Sequence, residues 1–215
     1  PLGSCTMKYN PKINDKLASS DKIVSLHPDE NEQNIQGALK ILFELEGFLS
    51  SMTGMDGFTL QPSAGSQGEF VGLLMMQKYH LDKGSNKKYI IIPETAHGTN
   101  PASVILGGYK TLQVKSNDQG RVDIDHLKSL VTDEVAGMML TQPNTLGLFE
   151  NQIEEITSII HEFDGLMYMD GANLNALISL AKPIDMGFDM IVSPDSGMGG
   201  YREKIESVKK VSKKA

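Results

Sequence analysis

Through the middle of the chain, short apolar runs alternate with stretches in which apolar residues recur every three or four positions. Lys88-Tyr89-Ile90-Ile91-Ile92-Pro93, Val135–Thr141 and Leu166-Met167-Tyr168-Met169-Asp170 are continuous apolar runs of strand length, the mark of strands buried on both faces. Phe58–Pro62, Thr111–Val114 and Phe188–Ser193 are further short strands. Helical spacing predicts a helix over Glu32–Met52, with Ile35, Leu39, Leu42, Phe43, Leu45 and Leu49 on one face and Gly54 as its stop. A second helix runs from about Glu69 to Leu81, with Val71, Leu74, Met75 and Tyr79 available for the core. Asp123–Leu130, capped by Asp123 or Asp125, and Ile153–Phe163 are two more. Strand and helix alternate almost throughout, which predicts an α/β fold with a mostly parallel sheet and helices on both faces.

Residues 1–30 are polar and turn-rich, broken at Asn10-Pro11 and His27-Pro28, and are expected to form an arm. Residues 31–192 form the expected main domain. Residues 193–215 end in a basic tail, expected to be a solvated helix. At 215 residues the chain is long enough for one sizeable core. The net charge of -7 argues against a dedicated nucleic-acid binder, and no apolar run approaches the roughly 18 residues of a membrane helix. The lone cysteine, Cys5, excludes an internal disulfide and suggests a reducing compartment. Pro1-Leu2-Gly3-Ser4 has neither an initiating Met nor a signal core, as expected of a cut or processed end.

The candidate chemistry sits at the ends of the strands, where open α/β sheets bind ligands. The strand ending at Asp170 continues into Gly171-Ala172-Asn173, so a carboxylate stands at the sheet's rim. It either caps the next turn or pairs with a cation, since a buried unpaired charge is costly. One such cation is the protonated ring nitrogen of pyridoxal phosphate. Ser63-Ala64-Gly65-Ser66 lies between a strand and a helix, where small residues let backbone N–H groups approach an anion. It is neither a P-loop nor a GxGxxG fingerprint. His97, after the 88–93 strand, is either a satisfied hydrogen-bonding residue or an imidazole that covers a ring and shuttles protons. Asn144 is either a turn former after Pro143 or an amide for a phenolic oxygen. Cys5 is expected to be a bystander or to pack beside the pocket. No His or Cys stands near His97 at metal-ligand spacing, so no metal is expected, and Gly-x-Ser-x-Gly is absent.

Several longer motifs then carry a family likeness. Gly3-Ser4-Cys5-Thr6-Met7-Lys8-Tyr9-Asn10-Pro11, Gln61-Pro62-Ser63-Ala64-Gly65-Ser66-Gln67-Gly68-Glu69, Ala96-His97-Gly98-Thr99-Asn100-Pro101-Ala102-Ser103, Asn144-Thr145-Leu146-Gly147-Leu148-Phe149-Glu150 and Asp170-Gly171-Ala172-Asn173-Leu174-Asn175 occur in this order. From residue 1 to about Val192 the chain resembles glycine decarboxylase, the P-protein of the glycine cleavage system, in its catalytic half or second subunit. The resemblance implies the large domain of a fold-type I enzyme dependent on pyridoxal 5'-phosphate. It implies an enzyme that decarboxylates glycine and passes the aminomethyl group to the lipoyl arm of H-protein. It further implies a companion P-protein half or subunit, and a cytoplasmic location, or the mitochondrial matrix in a eukaryote. Residue by residue it implies that Ala64, Gly65 and Ser66 hold the phosphate, His97 stacks on the ring and Ala172 backs its other face. Asp170 would pair with the ring nitrogen and Asn144 would reach the ring hydroxyl. Ser4, Thr6 and His27 would lie near substrate.

The likeness stops at Ser193. Where the family carries a His-Lys pair whose lysine binds the cofactor covalently, this chain reads Ser193-Pro194-Asp195-Ser196-Gly197-Met198-Gly199-Gly200, and Lys204 further on does not match. The expectation is therefore a domain truncated before its Schiff-base lysine and inactive alone. The alternative is a non-catalytic, lysine-less fragment that only binds cofactor or a partner subunit.

Overall fold

The computed structural model describes residues 11–27, 29–193 and 198–201, and the chain divides into two units, residues 1–48 and 49–215. The first unit carries α1 (Lys12–Ala18), α2 (Asp21–Val24), a 3-10 turn at Glu32–Asn34 and the beginning of α3 (Gln36–Thr53). The Asn31 side chain accepts the Gln33 N–H and starts the 3-10 turn. The helix expected over Glu32–Met52 is thus interrupted after its first turn. Of its expected core face only Leu49 is buried, while Leu39, Leu42 and Phe43 are exposed. Gly54 is the stop: its φ of 78° is left-handed, and a Cβ there would meet Ile184 at 2.2 Å.

The second unit is organised by a seven-stranded sheet. Its strands are β1 (Gly57–Thr59), β2 (Tyr89–Pro93), β3 (Lys110–Val114), β4 (Val135–Thr141), β5 (Leu166–Asp170), β6 (Met190–Ser193) and β7 (Met198–Tyr201). Across the sheet they run β1-β7-β6-β5-β4-β2-β3. From β3 to β6 every pairing is parallel, and β7 alone runs antiparallel to its neighbours β6 and β1. β7 was not expected. Two of its four residues are glycines, which have little strand preference of their own, so its pairing with β6 and β1 makes it a strand.

Helices cover both faces. Ile90, Ile92, Ala136, Leu166, Tyr168, Met190 and Val192 form one cluster with Leu73 and Met76 of α4 (Gly65–Asp82) and Val104 of α5 (Thr99–Leu106). The opposite parity, with Ile91, Met138, Met167, Met169 and Ile191, is buried as well. α7 (Ile153–Glu162) packs on β5, and α6 (Ile124–Leu130) packs on β3 and α7. Of the two cap candidates it is Asp123 that caps α6, accepting the His126 N–H at 3.0 Å.

α4 departs from its expected face. The buried positions are Gly68, Glu69, Gly72, Leu73, Met76 and His80, whereas Leu74 is exposed and Met75 and Tyr79 pack at the margin. The reason is close approach. A Cβ at Gly72 would stand 2.2 Å from Tyr168 Cε2, so the glycine side of the helix lies directly on the sheet. His80, on the same side, reaches the Ala136 carbonyl at 2.8 Å, and its burial pushes the imidazole below its ordinary value. No helix among the described residues is long and apolar enough to cross a membrane.

Candidate active site

Because β2, β4, β5 and β6 are parallel, their carboxyl ends share one edge of the sheet. The register sets Asp170, the last residue of β5, beside Thr141 of β4 and Val192 of β6. Gly171 then donates its N–H to the Val192 carbonyl at 2.8 Å, and a Cβ there would lie 2.4 Å from that oxygen. Only glycine lets the chain turn so close to its neighbour, which is why a glycine follows the carboxylate.

Asp170 is 3% exposed. Its Oδ1 accepts the Ala172 N–H at 3.0 Å, and its Oδ2 accepts from Asn100 Nδ2 at 3.2 Å and from Thr141 Oγ1 at 3.4 Å. Three donors hold it, and no cationic side chain bonds it among the described residues. Asn100, in the first turn of α5, is 1% exposed; its Nδ2 faces the carboxylate and its Oδ1 has no partner among the described residues. That amide orientation is the one a carboxylate demands, since the reverse would set oxygen against oxygen.

His97 lies in the loop between β2 and α5 and is exposed. Its Nδ1 accepts the Thr99 backbone N–H at 3.2 Å and stands 2.7 Å from Thr99 Oγ1. A ring nitrogen that accepts a backbone N–H carries no proton itself, so in the neutral ring the proton is on Nε2. Thr99 Oγ1 also stands 3.2 Å from Oε1 of Glu69, and Ser103 Oγ donates to Glu69 Oε2 at 2.6 Å. Glu69, on the first turns of α4, is 4% exposed. Burial pushes its carboxyl above the ordinary value, and the nearby Asp170 charge adds to the rise. The Tyr168 hydroxyl is buried with no hydrogen-bond partner among the described residues. Desolvation, then the Glu69 and Asp170 charges, push it well up.

Ala64 is the N-cap of α4 and Gly65 and Ser66 are its first residues, so the helix begins four residues earlier than expected, within the small-residue turn itself. Ala64 has no polar side chain with which to cap this end. Asn144 is buried and holds its own loop: its Oδ1 accepts the Leu146 and Leu148 N–H groups, each at 3.0 Å, and its Nδ2 donates to the Gly120 carbonyl at 3.0 Å. One N–H of its amide remains.

Hydrogen bonds join these pieces into one edge. Glu69 links α4 to Thr99 and His97, Asn100 links α5 to Asp170, and Asp170 links to Thr141. Asn173, three residues beyond Asp170, donates to the Pro143 carbonyl at 2.9 Å. A crevice of about 10 Å³ beside the edge is lined by Thr95, Ala96, Thr141 and Asn144, but not by Gly65, His97 or Asp170. His27 belongs to the first unit, is exposed, and accepts the Asp29 N–H at its Nδ1 at 3.1 Å. Ser4, Cys5, Thr6, Lys204 and the basic tail lie outside the described residues. Glu69, Thr99, Asn100, Ser103 and Thr141 were not singled out from the sequence. Their available signal was a polar side chain at a position that the helix or strand buries.

No model of a known protein family matches the chain. The probable glycine dehydrogenase (decarboxylating) subunit 2 of Pyrococcus horikoshii is 53% identical over 192 residues, which cover 89% of this chain and 38% of that protein. The protein of the same name from Caldanaerobacter subterraneus subsp. tengcongensis is 53% identical over 192 residues, 89% of this chain and 40% of its own length. The chain thus spans about two fifths of these relatives. Among solved structures, the crystal structure of glycine decarboxylase (P-protein) of the glycine cleavage system, in inhibitor-bound form, superposes with a TM-score of 0.74. It covers 91% of this chain and 46% of that one at 17% identity. A sphingosine-1-phosphate lyase from Burkholderia pseudomallei superposes with a TM-score of 0.61 over 76% of this chain and 45% of that one, at 14% identity. These superpositions show a shared fold, a mostly parallel sheet with helices on both faces. Over 192 residues, the chain is thus similar to about two fifths of the proteins named glycine dehydrogenase (decarboxylating) subunit 2.

Proposed function

We propose that this chain supplies the cofactor-binding edge of a glycine decarboxylase that works with pyridoxal 5'-phosphate. Residues 31–192 form its large domain, residues 1–30 an arm and residues 193–215 a terminal segment of which Met198–Tyr201 adds β7 to the sheet. The substrate is glycine, the acceptor is the lipoyl arm of H-protein, a companion subunit completes the enzyme, and the cytoplasm is its compartment. The single observation that carries this reading is Asp170, a buried carboxylate with three donors and, among the described residues, no cationic side chain bonded to it. A protonated ring nitrogen fits that place.

The other residues fit the same group. The uncapped start of α4 at Ala64, Gly65 and Ser66 presents backbone N–H groups and roughly half a unit of positive charge to a phosphate. His97 covers one ring face with its Nδ1 already tied down, leaving the Nε2 proton for an outside acceptor. Ala172 backs the opposite face, and the remaining N–H of Asn144 serves the ring hydroxyl. Ser4, Thr6 and His27 are proposed for the substrate side. When bound, the cofactor is the electron sink for the charge left on the glycine carbon as carbon dioxide departs. Asp170 keeps the ring nitrogen protonated, which is what makes that sink effective.

One observation favours a second reading, in which the chain binds cofactor without reacting. No lysine stands between Asp189 and Tyr201, where the family's covalent lysine is expected. The test is an absorbance titration of the chain with pyridoxal phosphate, followed by borohydride. Saturable binding weakened at least about tenfold by Asp170→Asn, roughly 1.4 kcal/mol, supports the cofactor site. Equal binding by the variant sinks it. A borohydride-fixed adduct on a lysine of this chain rules out the second reading, as does glycine–bicarbonate exchange with H-protein present.

A further inference from the structure

We infer that Glu69 is a positioning residue for His97: its carboxyl keeps a proton and, through the Thr99 hydroxyl, locks the imidazole with Nδ1 as acceptor and Nε2–H as donor. The inference deepens the proposed role of His97 as the ring cover and rests on that reading for its functional meaning.

The geometry allows one consistent placement of protons. The Thr99 backbone N–H is a fixed donor to Nδ1 at 3.2 Å, so Nδ1 carries no proton. Thr99 Oγ1 has a single hydrogen, and it stands 2.7 Å from Nδ1 and 3.2 Å from Glu69 Oε1. If that hydrogen goes to Nδ1, as the shorter distance favours, Oγ1 must accept from Oε1, which requires a protonated carboxyl. Ser103 donates to the other oxygen, Oε2, at 2.6 Å, which leaves Oε1 as the oxygen that carries the acid proton.

The alternative places an ionised Glu69 beside Asp170. The Thr99 hydrogen then turns to Oε1, and two lone pairs face each other across 2.7 Å unless Nδ1 gains a proton. A proton there would confront the Thr99 N–H head on. The titratable and charged groups that face Glu69 among the described residues are His97 on the β2–α5 loop and Asp170 and Tyr168 on β5; α5 offers it only the hydroxyls of Thr99 and Ser103. None is a cation that would hold Glu69 ionised apart from His97 itself. Burial raises the carboxyl in the same sense.

The experiment uses the full 215-residue chain without cofactor, with its five histidines labelled at the ring nitrogens and the His97 signals assigned by loss in His97→Asn. Nitrogen chemical shifts near neutral pH report which ring nitrogen carries the proton. The expected result is an unprotonated Nδ1 in the native chain and in Glu69→Gln, whose amide N–H replaces the acid proton as donor to Thr99. In Glu69→Leu and in Thr99→Val the share of Nδ1–H should rise roughly fivefold, the weight of one neutral hydrogen bond. An Nδ1-protonated ring in the native chain overturns the inference, and so does an unchanged Nδ1 share in Thr99→Val. Should Glu69→Leu fail to fold, Thr99→Val decides, because it removes the bridging hydroxyl at nearly constant volume. No pyridoxal phosphate enters this measurement. A failed cofactor titration would sink the proposed site and leave this result standing, and the reverse also holds.

Discussion

Asn100→Ala separates stability from site function. The side chain makes a hydrogen bond to a buried carboxylate, but at 3.2 Å the bond is longer than the usual charge-assisted pair, so it falls near the low end of such bonds, about 1.5 kcal/mol. The same amide keeps its Oδ1 buried without a partner among the described residues, a cost of about 1 kcal/mol that truncation removes. Loss of packing around the deleted atoms returns about 1 kcal/mol, and alanine suits the first turn of α5 better than asparagine. The net loss of stability should be only about 1–2 kcal/mol. The effect on the site should be of similar energy but much more visible. Asp170 would keep only the Ala172 N–H and the long Thr141 contact, and its affinity for a ring cation should fall about tenfold. Urea unfolding gives the first quantity, and titration with pyridoxal phosphate gives the second. A stability loss above about 4 kcal/mol would mark Asn100 as a core residue and refute the reasoning. Unchanged cofactor affinity, in a chain where Asp170→Asn abolishes binding, would refute it as well.

Two further outcomes are expected. Gly72→Ala drives a methyl to within 2.2 Å of the Tyr168 ring, which is buried and cannot swing away, so thermal unfolding should show a loss of about 1–3 kcal/mol; an unshifted midpoint would refute the close approach of α4 to β5. Glu69→Gln should change how stability depends on pH. The folded-state carboxyl lies above its ordinary value of 4.5, so the stability it contributes is complete below that value and is lost as pH rises through the folded value. The variant does not titrate there, and so calorimetry should show it gaining on the native chain as pH rises above 4.5. A constant difference across that range would count against a raised Glu69.

Much of the fold was legible in the order of apolar runs. β4 and β5 are buried along their whole length, and a strand buried on both faces reads as an unbroken apolar run whatever packs on it. The edge carboxylate was legible too, since Asp170 directly ends such a run and Gly171 marks a close turn. What the sequence could not determine is which polar residues the edge would bury. Glu69 and His80 occupy the sheet-facing side of α4, where glycines allow contact, so Leu74 is left exposed and Met75 and Tyr79 pack only at the core's margin. Asn100 and Thr141 meet Asp170 from a helix and a strand that lie 70 and 29 residues away in the chain. Spacing within one element predicts neighbours only along that element. The partners of a charge at a sheet edge come from the loops and helices that crossover connections bring beside it, and only the folded chain decides them.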